Sequence, residues 1–137
     1  MADEKTTTEA AESANDIMEQ LRGHSSIVIE DGEGNEYTLR YPRALVKKME
    51  AKGITSQSVA EVMGDGTLTG VDDFIKTFVM AAFITDQPKI TVEKVFEIFE
   101  QLPDKEQFIQ LLMGLFMQPM LALTTNPTET RMKFRLV

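Results

Sequence analysis

Two short β-prone runs, Ile27-Val28-Ile29 and Tyr37-Thr38-Leu39-Arg40-Tyr41, flank the stretch Asp31-Gly32-Glu33-Gly34-Asn35, and no other feature restricts the fold so strongly. Such runs around a Gly/Asp/Asn turn predict a β-hairpin. A two-stranded hairpin alone is marginal in water, so it needs a third strand or a layer of helices. Tyr37, Leu39 and Tyr41 alternate onto one face, which is the face expected to pack.

The chain after the hairpin has helical spacing. Pro42 suits a first helical position, and Leu45, Val46 and Met49 form a short apolar edge ending at Gly53. Ser56 is placed to cap a brief helix carrying Val59, Val62 and Met63, which Gly64-Asp65-Gly66 breaks. Val71, Phe74, Ile75, Phe78, Val79 and Ala82 give a strong stripe, with Asp72 and Asp73 in its first turn. Gln87-Pro88 stops it. Thr91 caps the next helix, whose inner face is Val92, Val95, Phe96, Phe99 and Leu102. Asp104 and Gln107 resemble a capping box for a last helix lined by Phe108, Leu111, Leu112, Leu115 and Phe116, with Pro119 near its end.

Before the hairpin, residues 1–8 read as a flexible acidic tail. Ala10, Ala14, Ile17, Met18 and Leu21 then make a small stripe that Gly23 can terminate. A helix with so little apolar area is marginal until something covers it. After the bundle, residues 124–130 have linker composition. In residues 131–137, Met132, Phe134 and Leu136 alternate with Arg131, Lys133 and Arg135, which predicts an amphipathic strand with one basic face. It can complete its own hairpin as a third strand or add to another chain's sheet edge. The expected fold is therefore mainly α (α+β): a hairpin at 26–41 and four to five short helices within a single domain, 9–123.

The 137 residues suffice for one hydrophobic core, and the 42% hydrophobic share is that of a globular chain. Cysteine is absent, which excludes disulfides, thiolate metal sites and cysteine nucleophiles. The net charge of −8 repels nucleic acid and anionic lipid headgroups. The N-terminus lacks a cationic, apolar signal pattern. The apolar runs 78–84 and 111–117 are shorter than the roughly 20 residues that span a bilayer. These features predict a cytoplasmic protein that uses neither nucleic acid nor membrane.

Catalytic equipment is sparse. His24, the sole histidine, sits beside Ser25 and Ser26, and neighbours in sequence do not reproduce triad geometry. The loop at Asp31 has Glu36 where an EF-hand needs glycine and Pro42 where it needs glutamate; the loop at Asp65 has Lys76 at that last place. Glu93, Glu97 and Glu100 share a helical face with no supporting partners, as a solvated face does. No cofactor, no metal and no enzymatic activity are expected; a small enzyme using carboxylates alone is the remaining catalytic reading.

Two features point to protein partners. Met113, Met117 and Met120 cluster near Phe116, and methionine suits adaptable binding surfaces as well as cores. The other is the strand bearing Arg131, Met132, Lys133, Phe134, Arg135 and Leu136. These ten residues are the candidate partner-binding set.

The order of elements, with Tyr37-Thr38-Leu39-Arg40-Tyr41 leading into Ala44-Leu45-Val46-Lys47-Lys48-Met49-Glu50 and a later Ile90-Thr91-Val92-Glu93-Lys94-Val95-Phe96, resembles the tail assembly chaperones of long-tailed bacteriophages. The likeness runs from about Ser26 to Met117. It implies binding to the tape measure protein and to tail tube subunits in the host cytoplasm, with self-association and a frameshifted longer product as family traits. Another non-enzymatic phage or bacterial adaptor is the alternative.

Overall fold

The computed structural model describes residues 16–127 and 129–137. A helical stretch over 16–20, here α1, precedes the hairpin of β1 (Ile27–Glu30) and β2 (Glu36–Leu39). The helices α2 (Arg43–Ala51), α3 (Ser56–Gly64), α4 (Leu68–Phe74), α5 (Met80–Ile84), α6 (Val92–Gln101) and α7 (Lys105–Thr124) follow, with a π-helical turn at Ile75–Val79 joining α4 to α5. The architecture is mainly α with a small β element, as the patterning predicts.

The strands pair antiparallel, Ile27 opposite Leu39 and Ile29 opposite Tyr37. Asp31 organises the turn: Oδ1 accepts from the Glu33 and Asn35 amides at 2.9 Å each, and the Asn35 side chain donates to Oδ2 at 2.9 Å. This local bonding is the usual aspartate turn device. The Asn35 side chain, and then its backbone amide, hold the Asp31 carboxyl below its ordinary pKa.

Local sequence explains most boundaries. Helix α2 ends where Gly53 adopts φ +85°, its amide bonding Glu50 O and that of Ile54 bonding Met49 O. That double bond is a Schellman motif, with buried Met49 and part-buried Ile54 as its apolar contact. Thr55, one residue earlier than expected, caps α3 through a reciprocal box with Ser58. Thr91 caps α6 as read from the sequence. Asp104 accepts from the Gln107 amide at 3.3 Å, but the Gln107 side chain reaches Gln20, so only half of the predicted box forms. Pro42 precedes α2 as its cap rather than opening it.

The π turn has a readable cause. Phe74, Phe78 and Ala82 stand four apart, as do Ile75, Val79 and Phe83, and all six are buried. At about 100° per residue an α-helix carries such a stripe roughly 80° off its face over eight residues. A turn closed by an i→i+5 bond, here from the Met80 amide to Ile75 O, holds more residues and restores the alignment. Tyr41, buried among Phe78 and Phe116 at ring separations of 5.0 and 5.5 Å, donates its hydroxyl to the Phe78 carbonyl at 2.7 Å. The hairpin's exit is thereby fastened to the centre of the core.

Three sequence expectations need correction. Residues 131–137 form no third strand; among the described residues the sheet has two. The free side of β2 is already taken, because the Gln87 carboxamide bonds Thr38 in both directions at 2.8 Å and the Arg40 amide bonds Ala82 O at 3.1 Å. Gln87 does for Thr38 what a neighbouring peptide would do. Second, α7 continues through Pro119 to Thr124, so the linker begins at 125, not 124. Third, α7 is longer than the apolar run 111–117 within it. Among the described residues it is the one helix whose length and composition would allow it to cross a membrane. Core helices share those properties, and α7 buries Phe108, Leu112, Leu115 and Phe116 in the core.

The marginal first helix finds its cover on α7. Ile17 and Leu21 are buried, and a Cβ added to Gly114 would fall on Leu21 Cδ1. Gln118 Nε2 holds the chain's exit from α1 by donating to His24 O at 2.8 Å. Ala10 and Ala14 of the predicted stripe lie outside the described residues.

Candidate functional site

The candidate residues divide between core and surface. Phe116 is 5% exposed and belongs to the aromatic cluster with Tyr41 and Phe78, and it also lines the groove described next, joining the core to that surface. Met113 is half-buried against the same core. Met117 is half-buried and Met120 is 51% exposed. With Leu123, 71% exposed, these two form one wall of an open groove of about 260 Å³. Val46 of α2 forms part of the other wall, and Lys47 and Glu50 mark its rim.

The groove exists because α7 outruns its own support. Its inner face is covered as far as Phe116, and Pro119 carries the helix onward without contributing an N–H to the ladder. Beyond that point apolar side chains keep the helical spacing with little to cover them. Leu123 was absent from the candidate set, although its spacing four residues beyond Pro119 and three beyond Met120 places it on the groove face.

Residues 131–137 are the second exposed apolar region. Met132 is 85% exposed, and Phe134, Leu136 and Val137 are essentially fully exposed. The Met132 amide bonds Thr130 Oγ1 at 3.1 Å, a contact within the segment itself. Arg131, Lys133 and Arg135 are exposed beside them. The structure therefore brings Phe116, Met117 and Met120 together at the groove, while Met113 and the 131–137 set do not line it.

Several of the acidic groups singled out in the sequence are engaged in local structure. No three His, Cys, Asp or Glu side chains converge as a metal site there. Both Asp31 oxygens are engaged in the hairpin turn, and an Asp65 oxygen accepts from the Thr67 hydroxyl at 2.7 Å. Glu97 pairs with Lys94 at 3.4 Å on an exposed helical face. Tyr41 is the buried ionisable group, and burial pushes its pKa well above the ordinary value. Its hydroxyl stays neutral and acts as a structural donor.

A second depression, about 400 Å³, lies beside the hairpin. Ile29, Glu30 and the turn residues line one side, and Ile98 and Leu102 the other. From the hairpin only Ile29 and Glu30 of β1 and the turn residues Asp31, Gly32 and Glu33 line it, so it lies at the C-terminal end of β1.

No curated protein and no solved structure matches the chain. A family model described as a domain of unknown function, DUF5055, matches residues 18–136, from the described part of α1 through the basic segment. With nearly its whole length covered by that match, the chain belongs to the DUF5055 family.

Proposed function

We propose that this protein is a non-enzymatic holder of other proteins, acting as an assembly chaperone for phage tails in the host cytoplasm. The observation that carries the reading is the apolar groove at the end of α7, where Met120 and Leu123 stand exposed beside Met117 and Val46. Methionine and leucine along an open helix face suit an amphipathic client helix whose sequence varies along its length. The tape measure protein is a client of that kind, and the order of the hairpin and helices resembles the chaperones that bind it. The net charge of −8 keeps such an exposed surface soluble and gives no attraction to nucleic acid.

Co-purification of the full chain with tail tube and tape measure proteins of a long-tailed phage tests the proposal. The wild type should retain at least the tape measure protein. A Met120→Glu/Leu123→Glu variant should lose it while keeping the helical circular dichroism of the wild type. If neither protein is retained by the wild type, the chaperone reading is wrong.

A further inference from the structure

We infer that residues 131–137 of one copy add as a strand to the free edge of β1 in a second copy, so that the chain associates with itself by exchanging strands. The inference does not depend on the identity of any client.

The edge is defined by the ladder. Thr38 turns its N–H and C=O to Gln87 rather than to β1. Its partner Val28 therefore belongs to a pair that is not hydrogen-bonded across the hairpin, and directs its own N–H and C=O away from β2. No described residue bonds those groups, and the Val28 side chain is 52% exposed. One side of the hairpin is thus closed by Gln87, and the other is an open template.

The depression where β1 runs into its turn continues this edge and fits the segment in both of its faces. Its floor is apolar, with Ile29 from the strand and Ile98 and Leu102 opposite, matching Met132, Phe134 and Leu136. Its charge is complementary: Glu30, Asp31, Glu33 and Glu97 line it against the single cation Lys94, whereas the segment carries Arg131, Lys133 and Arg135. A strand laid on β1 places those cations on the face bearing Val28 and Glu30, and its apolar residues on the face of Ile29. Reciprocal exchange between two copies gives each chain one strand donated and one edge covered, which closes with twofold symmetry.

Cysteine is absent, so introduced cysteines report pairing without background. Separately made Val28→Cys and Lys133→Cys chains, carrying tags of different size, should form a mixed disulfide on combination, since same-face neighbours across a ladder lie within bridging distance. Sedimentation of the wild type should show a dimer that weakens as salt rises. Deletion of 131–137, or the Lys133→Glu/Arg135→Glu variant, should weaken self-association about tenfold or more. Mixing that charge-reversed chain with a Glu30→Lys/Glu33→Lys chain should restore it. A wild type that stays monomeric, a dimer indifferent to the deletion, or a disulfide formed within one chain carrying both cysteines would each overturn the proposal.

Discussion

The segment from β2 to Tyr41 and the segment 131–137 share one pattern, apolar residues alternating with polar ones, yet the fold treats them oppositely. In the first, Leu39 is wholly buried and Tyr41 nearly so, and the backbone of Thr38 is satisfied by Gln87. In the second, Phe134 and Leu136 are fully exposed and no described residue covers them. Alternation specifies faces and nothing more; a strand also needs a ladder for its backbone and a surface for its apolar side. The docked strand has both from α5 and Gln87. The undocked one has the amphipathic pattern and, among the described residues, neither of them; with the groove of α7 it is one of the two exposed apolar surfaces on which the proposals above rest.

The contrast can be broken most severely at Tyr41. Tyr41→Ala empties a site among Phe78 and Phe116 and should cost about 3–5 kcal/mol in denaturant unfolding, whereas Tyr41→Phe removes only the hydroxyl's bond to the Phe78 carbonyl and should cost about 0.5–1.5 kcal/mol. Gly114→Leu should displace α1 from α7, forfeiting the burial of Ile17 and Leu21 at about 1.5–3 kcal/mol for each side chain. Limited proteolysis should then cut near residues 16–24 before the core unfolds. Gln87→Ala frees both Thr38 groups and should cost about 1–3 kcal/mol. Hydrogen exchange at the Thr38 amide should rise more than at Ile29, and equal protection would show that Gln87 does not serve as the missing strand.

Smaller effects sharpen the same distinction. The Asp31 carboxyl, held low first by the Asn35 side chain, favours the folded turn above its unfolded pKa of about 3.9. That contribution is lost as pH falls through the lower folded value. A carboxyl-carbon NMR titration should place the midpoint lower in the wild type than in Asn35→Ala. At concentrations where the chain is monomeric, removing residues 131–137 should shift unfolding by no more than about 0.5 kcal/mol; a larger loss there would mean that the segment stabilises its own domain.

What was legible in the chain was what is local. The hairpin turn follows from Asp31 and Asn35, the α6 start from Thr91, and the helix faces from apolar spacing. The π turn was present as two runs of buried positions four apart, but the same residues also read as an ordinary helical stripe. Phe116 stood in the candidate set because its neighbours are methionines, and its burial depends on Tyr41, 75 positions earlier in the chain. Pro119 reads as a helix stop, yet α7 runs past it, because Pro removes one bond without forbidding a helix whose preceding turns are packed.

The sequence by itself determined the element order, the caps and which faces are apolar, since these depend on residues within a few positions of one another. Only the tertiary structure decided which apolar faces find cover. Gln87 closes one edge of the hairpin from 49 positions along the chain, and Gly114 admits Leu21 from the other end of the chain. The end of α7 and residues 131–137 have no such counterpart among the described residues. Burial requires a complementary surface at the right distance in space, and spacing along one chain does not contain that distance.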